Sequence, residues 1–102
     1  MDRPYIIRDL VFTWDADKAE ANLGKHAVSF EEACEVFFDP LYEMEDASVE
    51  GDQRWAFIGY SKANRSLYVV AVEQEEDIWR IISARKLTPE ERLRYEEEDD
   101  TQ

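Results

Sequence analysis

The chain has one cysteine, one histidine, three glycines and three prolines among its 102 residues. A lone cysteine, Cys34, cannot close an internal disulfide, so a stable core must come from packing alone. So few glycines leave no Gly-rich loop to cradle a nucleotide phosphate. His and Cys do not cluster at zinc-ligand spacing, and no Ser-His-Asp arrangement is legible, so no metal and no cofactor is expected. No apolar run approaches the roughly 20 residues of a membrane-spanning helix, and no secretory leader is recognisable, which points to the cytoplasm. Cations are scarce too: 12 Lys and Arg stand against 25 Asp and Glu, a net charge of −13. Such an excess argues against general nucleic-acid binding, because phosphate contacts need Lys and Arg.

What is present is enough for a core. The chain is 44% hydrophobic and 13% aromatic, far from a disordered composition, and its length suits one domain. The charges are also unevenly placed. Acids crowd into residues 43–52, 73–77 and 96–100, whereas cations gather at Lys25-His26 and from Arg80 to Lys86. A local anionic ligand therefore stays compatible with the global figure.

Periodicity gives the order of elements. Leu10 to Thr13 and Trp14 read as a first strand, β-branched and aromatic throughout. Asp15 or Asp17 can cap a helix running to about Gly24, with Lys25-His26 able to extend its last turn. Ser29-Phe30-Glu31-Glu32 is a capping box, and Phe30, Ala33, Cys34 and Phe37 make one buried helical face, closed by Asp39-Pro40. A short edge strand over residues 41–45 is followed by three strands near 54–61, 66–74 and 77–85, joined by polar turns as an antiparallel meander. Thr88-Pro89-Glu90-Glu91 opens a last helix to about Glu98. The expectation is one α+β domain, β-α-α-β-β-β-β-α, with a core over about residues 10–95. Its helices should pack on one face of an antiparallel sheet and leave the other open. Residues 1–8 and 98–102 are expected to be loose.

Few residues suggest chemistry. His26 is the one side chain poised to exchange a proton near neutrality, and Lys25 beside it would attract phosphate. The alternative is that both simply sit at a helix C-terminus, where the dipole favours cations. Arg80, Ser83 and Arg85 offer two guanidinium forks and a hydroxyl to phosphate oxygens. Strand alternation, however, sends Arg80 and Arg85 to opposite faces unless a bulge or the strand end re-aims one of them. Arg54 could add a cation across the sheet, or could just pair with Asp52. Trp14, Trp55, Trp79 and Tyr60 could stack on bases, although such residues more often fill a small core. Cys34 lies on the apolar helical face and reads as packing. Gly59 inside a strand marks a bulge or a close backbone approach.

The runs Phe12-Thr13-Trp14-Asp15, Lys25-His26-Ala27-Val28-Ser29-Phe30-Glu31-Glu32-Ala33 and Arg80-Ile81-Ile82-Ser83-Ala84-Arg85-Lys86 occur in this order, with Asn22, Arg54, Gly59, Glu91-Arg92 and Tyr95 between and after them. Together they resemble the BrnT family of type II toxin–antitoxin toxins, small bacterial ribonucleases with a RelE-like fold. The resemblance implies a metal-independent endoribonuclease that cleaves RNA by 2′-hydroxyl attack on the adjacent phosphate. By position it implies a site of Lys25, His26, Arg54, Arg80, Ser83 and Arg85. It further implies a BrnA-like ribbon-helix-helix antitoxin as partner, contact with DNA only through that antitoxin, and a homodimer or a heterotetramer with it. The loop Asp46 to Asp52 lacks the histidine that relatives often carry there, and the chain is more acidic than usual. Those departures keep a second reading open, a toxin-fold protein acting as a non-enzymatic partner in an antitoxin-bound regulatory complex.

Overall fold

The helices begin where side chains can satisfy their first backbone donors. A computed structural model describes residues 4–100, with side chains through residue 97. Asp15 Oδ1 accepts from the Lys18 N–H at 3.0 Å, opening α1 (Ala16–His26). Ser29 Oγ accepts from the Glu32 N–H at 3.0 Å and opens α2 (Phe30–Glu35), which runs on into a 3-10 turn, Val36–Phe38. Only half of that capping box forms, because the Glu32 carboxylate turns away to Arg65 and Ser61. Thr88 and Glu91 cap each other fully at the start of α3 (Pro89–Asp100), with bonds of 3.1 and 2.9 Å. Gly24 does not end α1. The helix continues to His26 and is closed by Ala27, which takes the left-handed conformation at φ 57° and donates to the Leu23 carbonyl.

Six strands complete the α+β architecture: β1 (Tyr5–Ile7), β2 (Leu10–Thr13), β3 (Glu43–Asp46), β4 (Trp55–Tyr60), β5 (Ser66–Glu75) and β6 (Ile78–Lys86). Their order in the single sheet is β1-β2-β6-β5-β4-β3. Two expectations are corrected here. Residues 5–7 are no loose extension; they pair with β2 as an antiparallel hairpin. The sheet is also mixed, not antiparallel, because β6 returns beside β2 in the same direction. The meander of β3 to β6 begins at the far edge and crosses the sheet back to β2, and that return makes the parallel pair. Of the tail expected to be loose, residues 98–100 fall within α3, and residues 101–102 lie outside the described part.

One face of the sheet carries the core. Phe12, Phe57, Leu67, Val69, Ala71, Ile81 and Ala84 point into it and meet Val28, Phe30, Ala33, Cys34, Val36 and Phe37 from the helical layer. Aromatic rings hold its centre: Phe37 stacks on Phe57 at 4.0 Å, and Trp79 meets Phe57 edge-on at 5.0 Å. Trp14 packs against Phe30 and Tyr5, and all three tryptophans lie half-buried against the core, as suits packing. Cys34 is buried, and burial pushes its thiol pKa up, which suits packing and not nucleophilic attack. The second face is not wholly open. α3 crosses one end of it through the buried Tyr95, whose hydroxyl donates to the Leu41 carbonyl at 2.8 Å.

Candidate active site

Cross-strand partners share a face, so the β5–β6 register decides where the cations point. Val72 pairs with Arg80, Val70 with Ser83 and Tyr68 with Arg85, while Ala71 pairs with Ile81. Ile82 is left over. It is the extra residue of a β-bulge, and it changes the alternation between Arg80 and Ser83. Because Tyr68, Val70 and Val72 alternate regularly along β5, all three of their partners lie on the second face, away from the core. The bulge therefore joins Arg80, Ser83 and Arg85 on one surface, the condition their spacing required. The partners of the outer two stand four positions apart on β5, so their backbones lie about 13 Å apart. That is a row for a length of phosphodiester backbone, not a cage around one phosphate.

Arg85 is the most constrained member. Its guanidinium sits 4.3 Å from the centre of the Tyr68 ring and grips Glu91 with two bonds of 2.8 and 3.0 Å. The grip holds the Glu91 carboxyl down to about 2, helped by the Thr88 N–H. In turn it raises the Arg85 pKa. Glu91 fills the fork much as a phosphate would, since both present two anionic oxygens to parallel N–H donors. Arg80 lies beside Thr13 of β2 in the parallel register. Its charge helps lower the Asp15 pKa, although the Lys18 backbone bond is the larger cause.

Arg54 precedes β4, where the Arg54 carbonyl accepts from Ala47 and extends the β3–β4 ladder by one step. Its guanidinium pairs with Asp52 at 2.8 Å, the structural alternative foreseen for it. Lys25 and His26 occupy the last turn of α1, on the helical side of the sheet, with Lys25 exposed and His26 half-buried. Among the described residues neither makes a hydrogen bond or ion pair with the cationic row. Five of the six expected residues thus fall into two groups, Arg80, Ser83 and Arg85 together on one face and Lys25-His26 across the β6 edge, while Arg54 stands apart with Asp52.

Three residues matter more here than inspection of the chain suggested. Asn22 is buried, and its carboxamide bonds both the N–H and the carbonyl of Ala84, at 3.2 and 2.9 Å, as well as the Val28 carbonyl. β2 pairs with β6 only as far as Arg80, and beyond it Asn22 takes the place of a strand partner at Ala84. It thereby fixes the end of α1, with Lys25 and His26, against β6. Arg65 does similar work, donating to Glu32 and to the Ala27 carbonyl at 2.8 Å. Tyr68 supplies the ring under Arg85. The available signal for Asn22 was its place among the residues that carry the family resemblance. Arg65 and Tyr68 depend on long-range pairing and left none.

A family model described as the ribonuclease toxin BrnT of type II toxin–antitoxin systems matches residues 14–91. The chain belongs to the BrnT family. The matched span runs from Trp14 through both helices, the four-strand meander and the Arg85–Glu91 pair. It therefore contains every residue of the candidate site in this BrnT-family chain. No curated protein matches the chain in sequence. No helix among the described residues is long and apolar enough to cross a membrane, and no cluster of three or more His, Cys, Asp or Glu is placed to hold a metal ion.

Proposed function

We propose that the protein is an endoribonuclease toxin that cleaves RNA without a metal ion, on a RelE-like scaffold. The observation that carries this reading is the Ile82 bulge, which gathers Arg80, Ser83 and Arg85 on one face of a strongly acidic molecule. In the reaction the 2′-oxygen attacks the adjacent phosphorus, and the bond from phosphorus to the leaving 5′-oxygen breaks. A 2′,3′-cyclic phosphate and a free 5′-hydroxyl result. A base removes the 2′-hydroxyl proton and an acid protonates the 5′-oxygen. His26 and Lys25 are the side chains assigned to these transfers, reaching the RNA from across the β6 edge. Arg80 and Arg85 stabilise charge developing on the phosphoryl oxygens, Ser83 adds a hydroxyl donor between them, and Arg54 supports the far end of the row. The partner is a BrnA-like ribbon-helix-helix antitoxin, and DNA is reached only through it. The assembly is a heterotetramer with that antitoxin or a homodimer of the free toxin, acting in the bacterial cytoplasm.

The test uses purified protein and single-stranded RNA in excess EDTA. Cleavage should persist, and Arg80→Ala should slow it by about 10²–10³-fold, the usual cost of one electrostatic donor. Arg85→Ala should abolish it while the circular dichroism spectrum is retained. Wild-type rates in both variants would place the chemistry elsewhere.

One observation favours a second reading. The Arg85 fork is already filled by Glu91, as suits a protein that keeps the fold but serves as a non-enzymatic partner of its antitoxin in a regulatory complex. Induction in cells separates the two. Growth arrest relieved by the adjacent antitoxin frame supports the enzyme, whereas harmless induction with intact RNA supports the regulatory partner.

A further inference from the structure

At the end of the sheet, between α3 and the β4–β5 turn, lies a concavity of about 370 Å³. Arg65, Lys86 and Arg92 line it together with the polar side chains of Asn64 and Ser66. Its one carboxylate, Glu96, already accepts a bond of 2.7 Å from the Tyr60 hydroxyl. Arg65 is spent on Glu32 and the Ala27 carbonyl and forms a fixed wall. Lys86 and Arg92 are exposed, and among the described residues their side chains make no hydrogen bond or ion pair. With Arg65 neutralised by Glu32, Lys86 and Arg92 still face a single carboxylate, a locally positive balance in a chain of net charge −13. The neighbouring cavity, about 170 Å³ in volume, has the opposite character, with Glu43, Glu45 and Glu91 around Arg94. Of the two, the sheet-end groove is the one whose exposed charge suits a polyanion.

The groove also joins the two halves of the candidate site. Arg85 pairs in register with Tyr68 and faces the second side of the sheet, while Lys86 pairs with Leu67 and faces the helical side. Lys86 therefore carries positive charge around the strand end from the Arg80–Arg85 row. On the far side, the Arg65 bond to the Ala27 carbonyl sets the groove against the residue that follows His26. We propose that this sheet-end groove is a second phosphate-binding site for single-stranded RNA, taking the backbone between the arginine row and the end of α1 through Lys86 and Arg92. The inference rests on the RNA-cleaving reading and adds the path of the substrate, which the separation of Lys25-His26 from the arginines otherwise leaves broken.

Binding of a 2′-O-methyl RNA oligonucleotide, which lacks the attacking hydroxyl, tests the groove apart from the chemistry. Wild-type protein is compared with the double variant Lys86→Gln/Arg92→Gln over a range of salt concentrations. Affinity should fall about tenfold or more at low salt, with the slope of log K against log salt reduced by about 1.4, or about 0.7 for each lost single-strand phosphate contact. A variant with wild-type affinity and slope overturns the groove and leaves the arginine row standing. Weaker binding with an unchanged slope also overturns it, since that marks distortion and not lost phosphate contacts. A wild-type protein that neither binds the oligonucleotide nor cuts RNA overturns the RNA reading itself, and the groove with it.

Discussion

Gly59 is the residue with least room to change. A Cβ built there would meet Asp39 Oδ2 at 2.8 Å, Val36 Cγ1 at 3.2 Å and Tyr42 Cβ at 3.3 Å. Asp39 cannot retreat cheaply, because the same oxygen accepts from the Tyr60 N–H at 2.8 Å and its neighbour from the Leu41 N–H. Gly59→Ala should therefore cost about 1–3 kcal/mol, read as a lower urea midpoint at unchanged m-value. Asn22 makes a second sharp case. Asn22→Ala strips Ala84 of partners for both backbone groups, and each buried group left unpaired costs about 1–3 kcal/mol. A stability equal to wild type in urea would show that water replaces the carboxamide. At this scale the sequence was partly readable. Gly59 announced a close approach by its place in an apolar strand, while Asp39 as the group it touches could not be foreseen from a position 20 residues away.

Among the elements, α3 depends most on electrostatics. Most of its length is exposed, and it is tied down by Glu91 to Arg85, by Tyr95 to the Leu41 carbonyl and by Tyr60 to Glu96. Glu91 is held at about 2 against an ordinary 4.5, so its folded pKa is depressed. Its contribution is complete above the unfolded value and is lost as pH falls from about 4.5 toward 2. Helix α3 should loosen over that acid window, seen as increased amide exchange across residues 91–97, and Glu91→Gln should remove most of the pH dependence. The same substitution frees the Arg85 fork, so it should raise RNA affinity if the row binds phosphate. Local patterns foretold all three helices, a three-strand meander and a short edge strand before it, because capping residues and periodicity act within a few positions. The Ile82 bulge was not visible. It depends on which residues of β5 stand opposite, and the adjacent Ile81-Ile82 in Arg-Ile-Ile-Ser-Ala-Arg breaks alternation without saying which face each arginine takes. That one inserted residue decides whether the two arginines share a face.

For the molecule as a whole, the net charge of −13 gives salt two opposing effects. Screening relieves self-repulsion in the folded state, so the melting temperature should rise between about 20 mM and 0.5 M NaCl. RNA binding should weaken over the same range, because counterion release then favours it less. Both quantities moving the same way would mean that the cationic surface plays no part in holding RNA. Topology at this scale was only half legible. An α+β chain with a meander followed from the pattern. The parallel contact of β2 with β6 did not, since it joins residues more than 60 positions apart and nothing local marks it. The β1 strand escaped for a related reason, because three residues are too few for periodicity and only pairing with β2 defines them.

The edge of β6 beyond Arg80 has a further consequence. A strand whose backbone groups face outward invites an incoming chain to add itself, by insertion of a partner segment or by exchange between identical copies. Here Asn22 spends one side chain on both groups of Ala84, and α1 is held close against that edge. The vacancy is thus closed to a seventh strand, and new strands can join this sheet only beyond β1 or β3.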